Sequence, residues 1–540
     1  MVDTRRYDNL FAMRTFIALL MIAVHTFSAL AQDNGIAVMP GAEYVLRNVA
    51  TGTYLMKDGT TATDEEAASN WRVVTNDTIH FGDKEHLYFV HSDEIIMQMN
   101  NSGLGWSVKF SPEANQTYVM PSETTAGAFK FRYRYLASTR YLNVEVAADG
   151  SERLTAAHTS SPYNDWEFVP TSHPKNYRYR LMSMNRSSGN TKYAIAYRSH
   201  DPKGQEIWLS GWMAVPTDSE GGSSTADHVL FSTHYTLTKT SQWPTVSDPI
   251  DGLSFTFTSN KPVMVEPDYY GCGITEQYDN PYCAADIMAE ESVDMLIIAH
   301  DLLRDLHQMD CSTGAFPTYG IGSSQGASII LACQRYVENS PKVSEDERKA
   351  INWVRTCACA GCYNPISTLS HYYVTNELSV PSVVPFLLMG MVVGCPDIFG
   401  ETRAEDFFSE AFLKAGILQL IRSKNYSSEE ITEAMKNHSV ATMKEMLSEE
   451  AKDLNSDISQ KLLKALGQSD LTRDWSPKAD IKLYYHPEDA VVPHLNLVSF
   501  VNGLKDRCQG KLETQQTLLS VHVMACTDFF ARMIFGSYKE

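Results

Sequence analysis

The chain has 540 residues, of which 43% are hydrophobic, 11% aromatic and 20% charged. That composition can bury a sizeable core and excludes wholesale disorder. At about 150 residues per domain, the length predicts roughly three domains, or one large domain with attachments. The 45 Lys and Arg set against 65 Asp and Glu leave a net charge of −20. Such a field repels phosphate backbones and anionic headgroups, which argues against nucleic acid as a partner.

In chain order, the first element is an export signal. Phe16 to Phe27 reads FIALLMIAVHTF, preceded by Arg5, Arg6 and Arg14 and followed by Ala29-Leu30-Ala31. This layout predicts a signal peptide over 1–31 with cleavage before Gln32; Met13 is an alternative start. The stretch is shorter than the roughly 20 residues of a membrane span. No Cys follows the cleavage site, so the mature chain is expected to be secreted or periplasmic without a lipid anchor.

From Gly41 to Pro170 short β-type segments and turns dominate. GAEYVLRNVATGTYL (Gly41 to Leu55) is echoed by GAFKFRYRYLASTRYL (Gly127 to Leu142), with the degenerate EHLYFVHSDEIIMQM (Glu85 to Met99) between them. Tyr54-Leu55, Ile96-Met97 and Tyr141-Leu142 mark the repeats, and Trp71 and Trp166 close the first and third. This arrangement over 32–172 resembles the β-trefoil of ricin-type lectin modules. The resemblance implies an all-β domain and makes carbohydrate a candidate partner.

After residue 172 the pattern changes. The β-forming segments IWLSGWMAV (Ile207 to Val215), HVLFST (His228 to Thr233), PVMVEPD (Pro262 to Asp268), TYGIG (Thr318 to Gly322), VRTCACA (Val354 to Ala360) and IKLYYH (Ile481 to His486) alternate with helical ones such as 289–309 and 325–339. Alternation of this kind predicts a doubly wound, mostly parallel sheet. Between VRTCACA and IKLYYH, residues of about 363–475 read as an α-helical cap insertion with Ser and Thr before Glu at helix starts. All ten cysteines fall between Cys272 and Cys526. In an oxidising compartment Cys272 and Cys283 are the best candidate disulfide pair. Cys357, Cys359 and Cys362 stand in a small-residue strand rather than with a zinc-type partner set, so no metal is expected.

Gly322-Ser323-Ser324-Gln325-Gly326 matches G-x-S-x-G between a strand and an amphipathic helix. A strand-to-helix turn this tight needs Gly on both sides and lifts the Ser324 hydroxyl clear of the sheet edge. A nucleophilic Ser needs a base, and the base an orienting carboxylate. Asp489 follows the IKLYYH strand with Glu488 as a minor contender, and His522 follows the last strand, with His486 and His494 competing. The Gln325 backbone N–H supplies one oxyanion donor, and Tyr235, just past HVLFST, the second.

With Asp268-Tyr269-Tyr270-Gly271-Cys272-Gly273-Ile274-Thr275, these motifs make 173–540 resemble secreted α/β-hydrolase esterases of the secretory-lipase type. The resemblance implies hydrolysis of a small-molecule or glycan-linked ester through an acyl-serine, with no cofactor. Two rivals remain: a serine peptidase of the prolyl-oligopeptidase type, and a glycan-binding protein with an inactive hydrolase scaffold.

Overall fold

The computed structural model describes residues 43–540 and Ala37–Val38, apart from short segments of which 217–225 and 248–260 are the longest. The expected signal, 1–31, lies outside the described residues. The chain divides into two compact units, one spanning Ala31–Asn185 and the other Arg186–Glu540. Among the described residues, no helix is long and apolar enough to cross a membrane.

The first unit is built of short antiparallel strands, thirteen of them in one sheet. The first and third of the segments compared in the sequence share one contact. Trp71 Nε1 donates to the Leu55 carbonyl at 3.1 Å, and Trp166 Nε1 donates to the Leu142 carbonyl at 3.1 Å. Both indoles are fully buried, where an N–H without an acceptor would be costly. Beside Trp166, the buried Asp165 carboxylate receives Lys130 Nζ, Ser122 Oγ and Thr124 Oγ1. Burial alone would raise its pKa; these donors outweigh that and hold it below the ordinary carboxylate value.

In the second unit, among the described residues, one sheet runs in the order Asn190–His200, Glu206–Pro216, Val263–Pro267, Val229–Thr233, Thr318–Ser323, Trp353–Cys359, Asp480–Tyr485 and Leu512–Gln516. From Val263–Pro267 to Leu512–Gln516 every neighbouring pair is parallel. The Ile207–Val215 segment departs from that pattern. It lies within Glu206–Pro216, antiparallel to both neighbours. The turn 201–205 before it is too short for a crossover, so a hairpin is the only connection available.

Strand order reverses at Val229–Thr233. The chain leaves it for Val263–Pro267 on one side and returns to Thr318–Ser323 on the other. A crevice at the carboxyl edge follows from such a reversal, because the two outgoing loops separate there. Helices Ala285–His307 and Gln325–Asn339 follow their strands. Between Cys359 and Asp480 lies the expected all-helical insertion, from Pro365–Thr375 to Asp457–Gln468. Ser427 with Glu430, and Thr442 with Glu445, form reciprocal capping boxes, so the Ser/Thr-before-Glu signals mark true helix starts. The insertion has its own apolar core around Val384, Leu388, Met391, Phe407, Met435 and Leu466.

All ten cysteines are free thiols, so the expected Cys272–Cys283 disulfide is absent. Each of the two is instead buried as a small apolar side chain, and burial raises its thiol pKa.

Candidate active site

The elbow forms as the sequence predicts. Strand Thr318–Ser323 ends at Ser324, whose backbone adopts φ 54° and ψ −121°, and helix Gln325–Asn339 begins at once. A non-glycine residue in that region stores strain, which the surroundings must hold in place. They do so through the Ser324 N–H, which donates to the Cys359 carbonyl on the next strand at 2.8 Å. Glycine is required on both sides. A Cβ at Gly322 would collide with the Gly326 carbonyl, and one at Gly326 with the Thr233 and His234 carbonyls.

Three residues distant in sequence converge on this turn. His522 Nε2 lies 2.9 Å from Ser324 Oγ, and His522 Nδ1 lies 2.7 Å from Asp489 Oδ2. His522 opens helix His522–Ile534, which fixes the ring beside the sheet edge. The other Asp489 oxygen accepts the Val491 and Val492 N–H groups at 2.8 and 2.9 Å. These bonds explain the D-x-x-V-P pattern, since the loop wraps its own carboxylate. Asp489 and His522 are each 8% exposed, whereas Ser324 is half-buried and reachable.

The competing residues lie elsewhere. Glu488 is exposed, and its N–H donates to His486 Nδ1 at 3.2 Å. His494 stacks on Tyr485 with ring centroids 5.1 Å apart. Neither histidine reaches Ser324.

Burial disfavours the charged form of His522, but the hydrogen bond and charge of Asp489 outweigh it, with Cys526 adding in the same sense. The imidazole pKa therefore lies above its ordinary 6.5. A hydroxyl 2.9 Å from an imidazole held by a carboxylate can lose its proton to that ring as it attacks an electrophile.

The loop after Val229–Thr233 reaches the elbow from the other side of the crevice, with Thr233 Oγ1 donating to the Gly326 carbonyl at 2.7 Å. This contact brings the His234-Tyr235 segment beside Gln325. His234 is buried and pushed down to a pKa of about 4, so it stays neutral. Its ring nitrogens lie 2.7 Å from the Tyr235 carbonyl and 3.2 Å from the Asp268 carbonyl.

From the sequence, Asp268-Tyr269-Tyr270-Gly271-Cys272-Gly273 has no role beyond resemblance. In the structure it braces this loop. The Tyr269 ring packs tilted against that of His234 with centroids 4.0 Å apart, and its hydroxyl donates to the His234 carbonyl at 3.3 Å. Asp268 is fixed by Ser210 Oγ and Thr245 Oγ1, both at 2.5 Å. A Cβ on Gly273 would strike Ser210 and Asp268, which accounts for the second glycine of the motif.

A narrow cleft lies beside the elbow, lined by Gln325 but not by Ser324, Asp489 or His522, and by residues of the helical insertion. Gln325 and His234 line it from the sheet side, and Phe386, Met389, Ile421 and Lys424 come from the insertion. The apolar run Val383 to Val393 therefore divides its roles. All four of Phe386, Leu387, Met389 and Met391 belong to the insertion's core, and of these Phe386 and Met389 also line the cleft, while Leu387 and Met391, the positions first expected to line a pocket, do not. Because the helix is apolar on every side, its sequence offers no period to show which face is which.

Cys357, Cys359 and Cys362 do not converge on a common point: Cys359 Sγ faces the Ala525 carbonyl at 3.7 Å, and Cys362 Sγ faces Thr368 Oγ1 at 3.4 Å. Among the described residues, His200, Glu290 and Asp294 come together at metal-ligand spacing. Lys342 already occupies both Glu290 oxygens at 2.6 and 2.7 Å.

No family model and no curated protein matches the sequence. Solved structures do match. A Legionella pneumophila protein provisionally called a hydrolase aligns with a TM-score of 0.54 at 15% identity, over 67% of this chain and 97% of its own. The rice cell wall degrading esterase LipA of Xanthomonas oryzae aligns at 0.49 and 17% identity, over 67% of this chain and 94% of its own. Candida antarctica lipase A aligns at 0.45 and 11% identity, over 64% and 77%. The parallel sheet, the elbow after its central strand and the Legionella match together give this part of the chain an α/β-hydrolase-type fold.

Proposed function

We propose that the chain is an exported serine hydrolase that cleaves carboxylic esters through an acyl-enzyme on Ser324. The observation that carries this reading is the unbroken line from Asp489 Oδ2 through His522 to Ser324 Oγ, set on a strained elbow. Ser324 Oγ attacks the ester carbonyl while His522 Nε2 takes its proton. Asp489 holds the ring in the tautomer that accepts at Nε2 and stabilises the imidazolium. The tetrahedral oxyanion is met by the Gln325 N–H at the helix start and by the Tyr235 N–H from the braced loop. His522 then returns the proton to the leaving alcohol, and water repeats the sequence in reverse to free the acid.

The cleft supports an ester with an apolar acyl or alcohol part, because Phe386, Met389 and Ile421 line it. The all-β unit is read as a β-trefoil-like module that brings the enzyme to glycan. The paired Trp71–Leu55 and Trp166–Leu142 contacts support its repeat.

The test of the reaction is a rapid-quench assay with nitrophenyl esters of graded chain length. A burst of nitrophenol equal to the enzyme, with the acyl group mapped to Ser324, is the expected result. Linear release without an acylated Ser324 would overturn it. For the module, residues 32–172 are assayed within the full chain for retention on galactose- and xylan-bearing supports. No retention on either would leave that unit without its proposed role.

A further inference from the structure

Two thiols lie directly behind the catalytic pair, and neither forms or breaks a bond in the proposed mechanism. Cys526 stands one helical turn after His522 on helix His522–Ile534, so both side chains share one face. Cys359 ends strand Trp353–Cys359, and its carbonyl is the group that holds the Ser324 N–H. The Cys359 thiol reaches across to that helix, where Sγ donates to the Ala525 carbonyl at 3.7 Å, which places it beside the next residue, Cys526. One thiol is thus anchored to the nucleophile's backbone and the other to the base's helix.

Their environments differ. Cys359 is fully buried, and burial raises its pKa. Cys526 is half-buried, and the neighbouring Cys359, with the charge of His522, holds its pKa below the ordinary thiol value, against burial. The more acidic, more accessible thiol is the one an oxidant meets first, and the buried one is placed to resolve it.

We propose that Cys359 and Cys526 form a thiol–disulfide modification site that switches the hydrolase off when oxidised. The inference rests on Ser324 and His522 being the reacting pair. The co-reactant is a small-molecule disulfide such as oxidised glutathione. The Cys526 thiolate attacks one of its sulfurs, forming a mixed disulfide and releasing one thiolate. Cys359 then attacks the Cys526 sulfur, closing Cys359–Cys526 and releasing the second. Two electrons pass from the protein sulfurs to the reagent, and the two protein protons end on the two released thiols.

A disulfide requires the sulfurs to approach to about 2.05 Å, closer than two free thiols stand. Closing that gap draws the first turns of helix His522–Ile534 toward the end of strand Trp353–Cys359. His522 and the Ser324 backbone ride on those elements. A misplacement of about 1 Å in such a pair costs on the order of a hundredfold in rate.

The experiment equilibrates the full-length protein in buffers of graded reduced-to-oxidised glutathione ratio. Hydrolysis of a nitrophenyl ester is measured, and disulfides are mapped by differential alkylation and mass spectrometry. The expected result is an approximately hundredfold loss of kcat/KM that follows formation of the Cys359–Cys526 link and reverses with dithiothreitol, while Cys359→Ala stays active at every ratio. Failure to find that link under full oxidation would overturn the proposal. So would a link that leaves hydrolysis unchanged, or equal inactivation of Cys359→Ala. If the variant does not fold, the wild-type map and activity decide alone. A fully reduced protein that hydrolyses no ester would instead defeat the proposed function, and the switch with it.

Discussion

The carboxyl edge of the sheet and the helical insertion above it are built on opposite principles. At the edge, function is held by short-range geometry: a strained Ser324, two glycines that cannot carry a Cβ, and a carboxylate wrapped by its own loop. In the insertion, short capped helices pack on a shared apolar core, and only a few side chains, from Val383–Gly394 and from Ile417–Arg422 with Lys424 just after it, turn toward the cleft. Change at the edge should therefore act in large steps, and change in the insertion by degrees.

Ser324→Ala is the sharpest way to break this contrast. It removes the nucleophile without adding bulk, so the fold should persist while turnover falls by about 10⁴ to 10⁶. Thermal melting and ester hydrolysis, measured together, check both halves. Activity within about tenfold of the parent would mean that the elbow is ornamental.

The acid loop offers a pair of variants that differ by one position. Asp489→Asn removes the charge that orients His522 and should cost about 10⁴ in kcat. Glu488→Gln changes an exposed side chain whose carboxylate is not part of the site, and should leave kcat within about twofold. Steady-state kinetics on both decide the matter. The reverse order would move the acid to Glu488.

Much of the edge was legible because its chemistry demands local residue types. G-x-S-x-G specifies both a turn and a nucleophile, and chain order then places acid and base. Strand boundaries such as Thr318–Ser323 and helix Gln325–Asn339 follow from the same punctuation. The insertion was legible as helices through its caps, yet not in its facing. Val383–Gly394 is apolar all round, so only packing reveals that Phe386 and Met389, not Leu387 and Met391, reach the cleft. The antiparallel Glu206–Pro216 strand reads much as its parallel neighbours do, because a strand buried on both faces is apolar in either direction. The bracing by Tyr269 and Asp268 was hidden for another reason. It joins residues across the crevice to His234, a pairing that no spacing encodes.

The insertion should respond more gently. Met389→Trp narrows the cleft without touching the triad, and is expected to lower kcat/KM for long-chain esters about tenfold more than for acetate. Leu387→Ala, in the insertion's core, should instead lower the melting temperature with chain-length preference unchanged. A chain-length series on both variants separates cleft from core. Equal losses on all esters for Met389→Trp would place the acyl group elsewhere.

The smallest effect concerns protons. His522 acts as base only when neutral, so hydrolysis must fall as pH drops through its pKa. Burial pushes that pKa down, but Asp489, by hydrogen bond and charge, and Cys526, by charge, push it up further, so it stands above 6.5. The acid limb of kcat/KM should therefore lie on the alkaline side of an ordinary imidazole. Asp489→Asn removes the principal raising influence and leaves burial, so the limb of its residual activity should move to lower pH even as the rate itself falls. Cys526→Ser removes a lesser one and should move the limb in the same direction, but less. These shifts are read from full pH profiles rather than single-point rates, because a lower rate with an unmoved limb would signal displacement of the ring. An unmoved limb in Asp489→Asn would show that the carboxylate orients His522 without setting its charge, and the electrostatic half of the mechanism would fail.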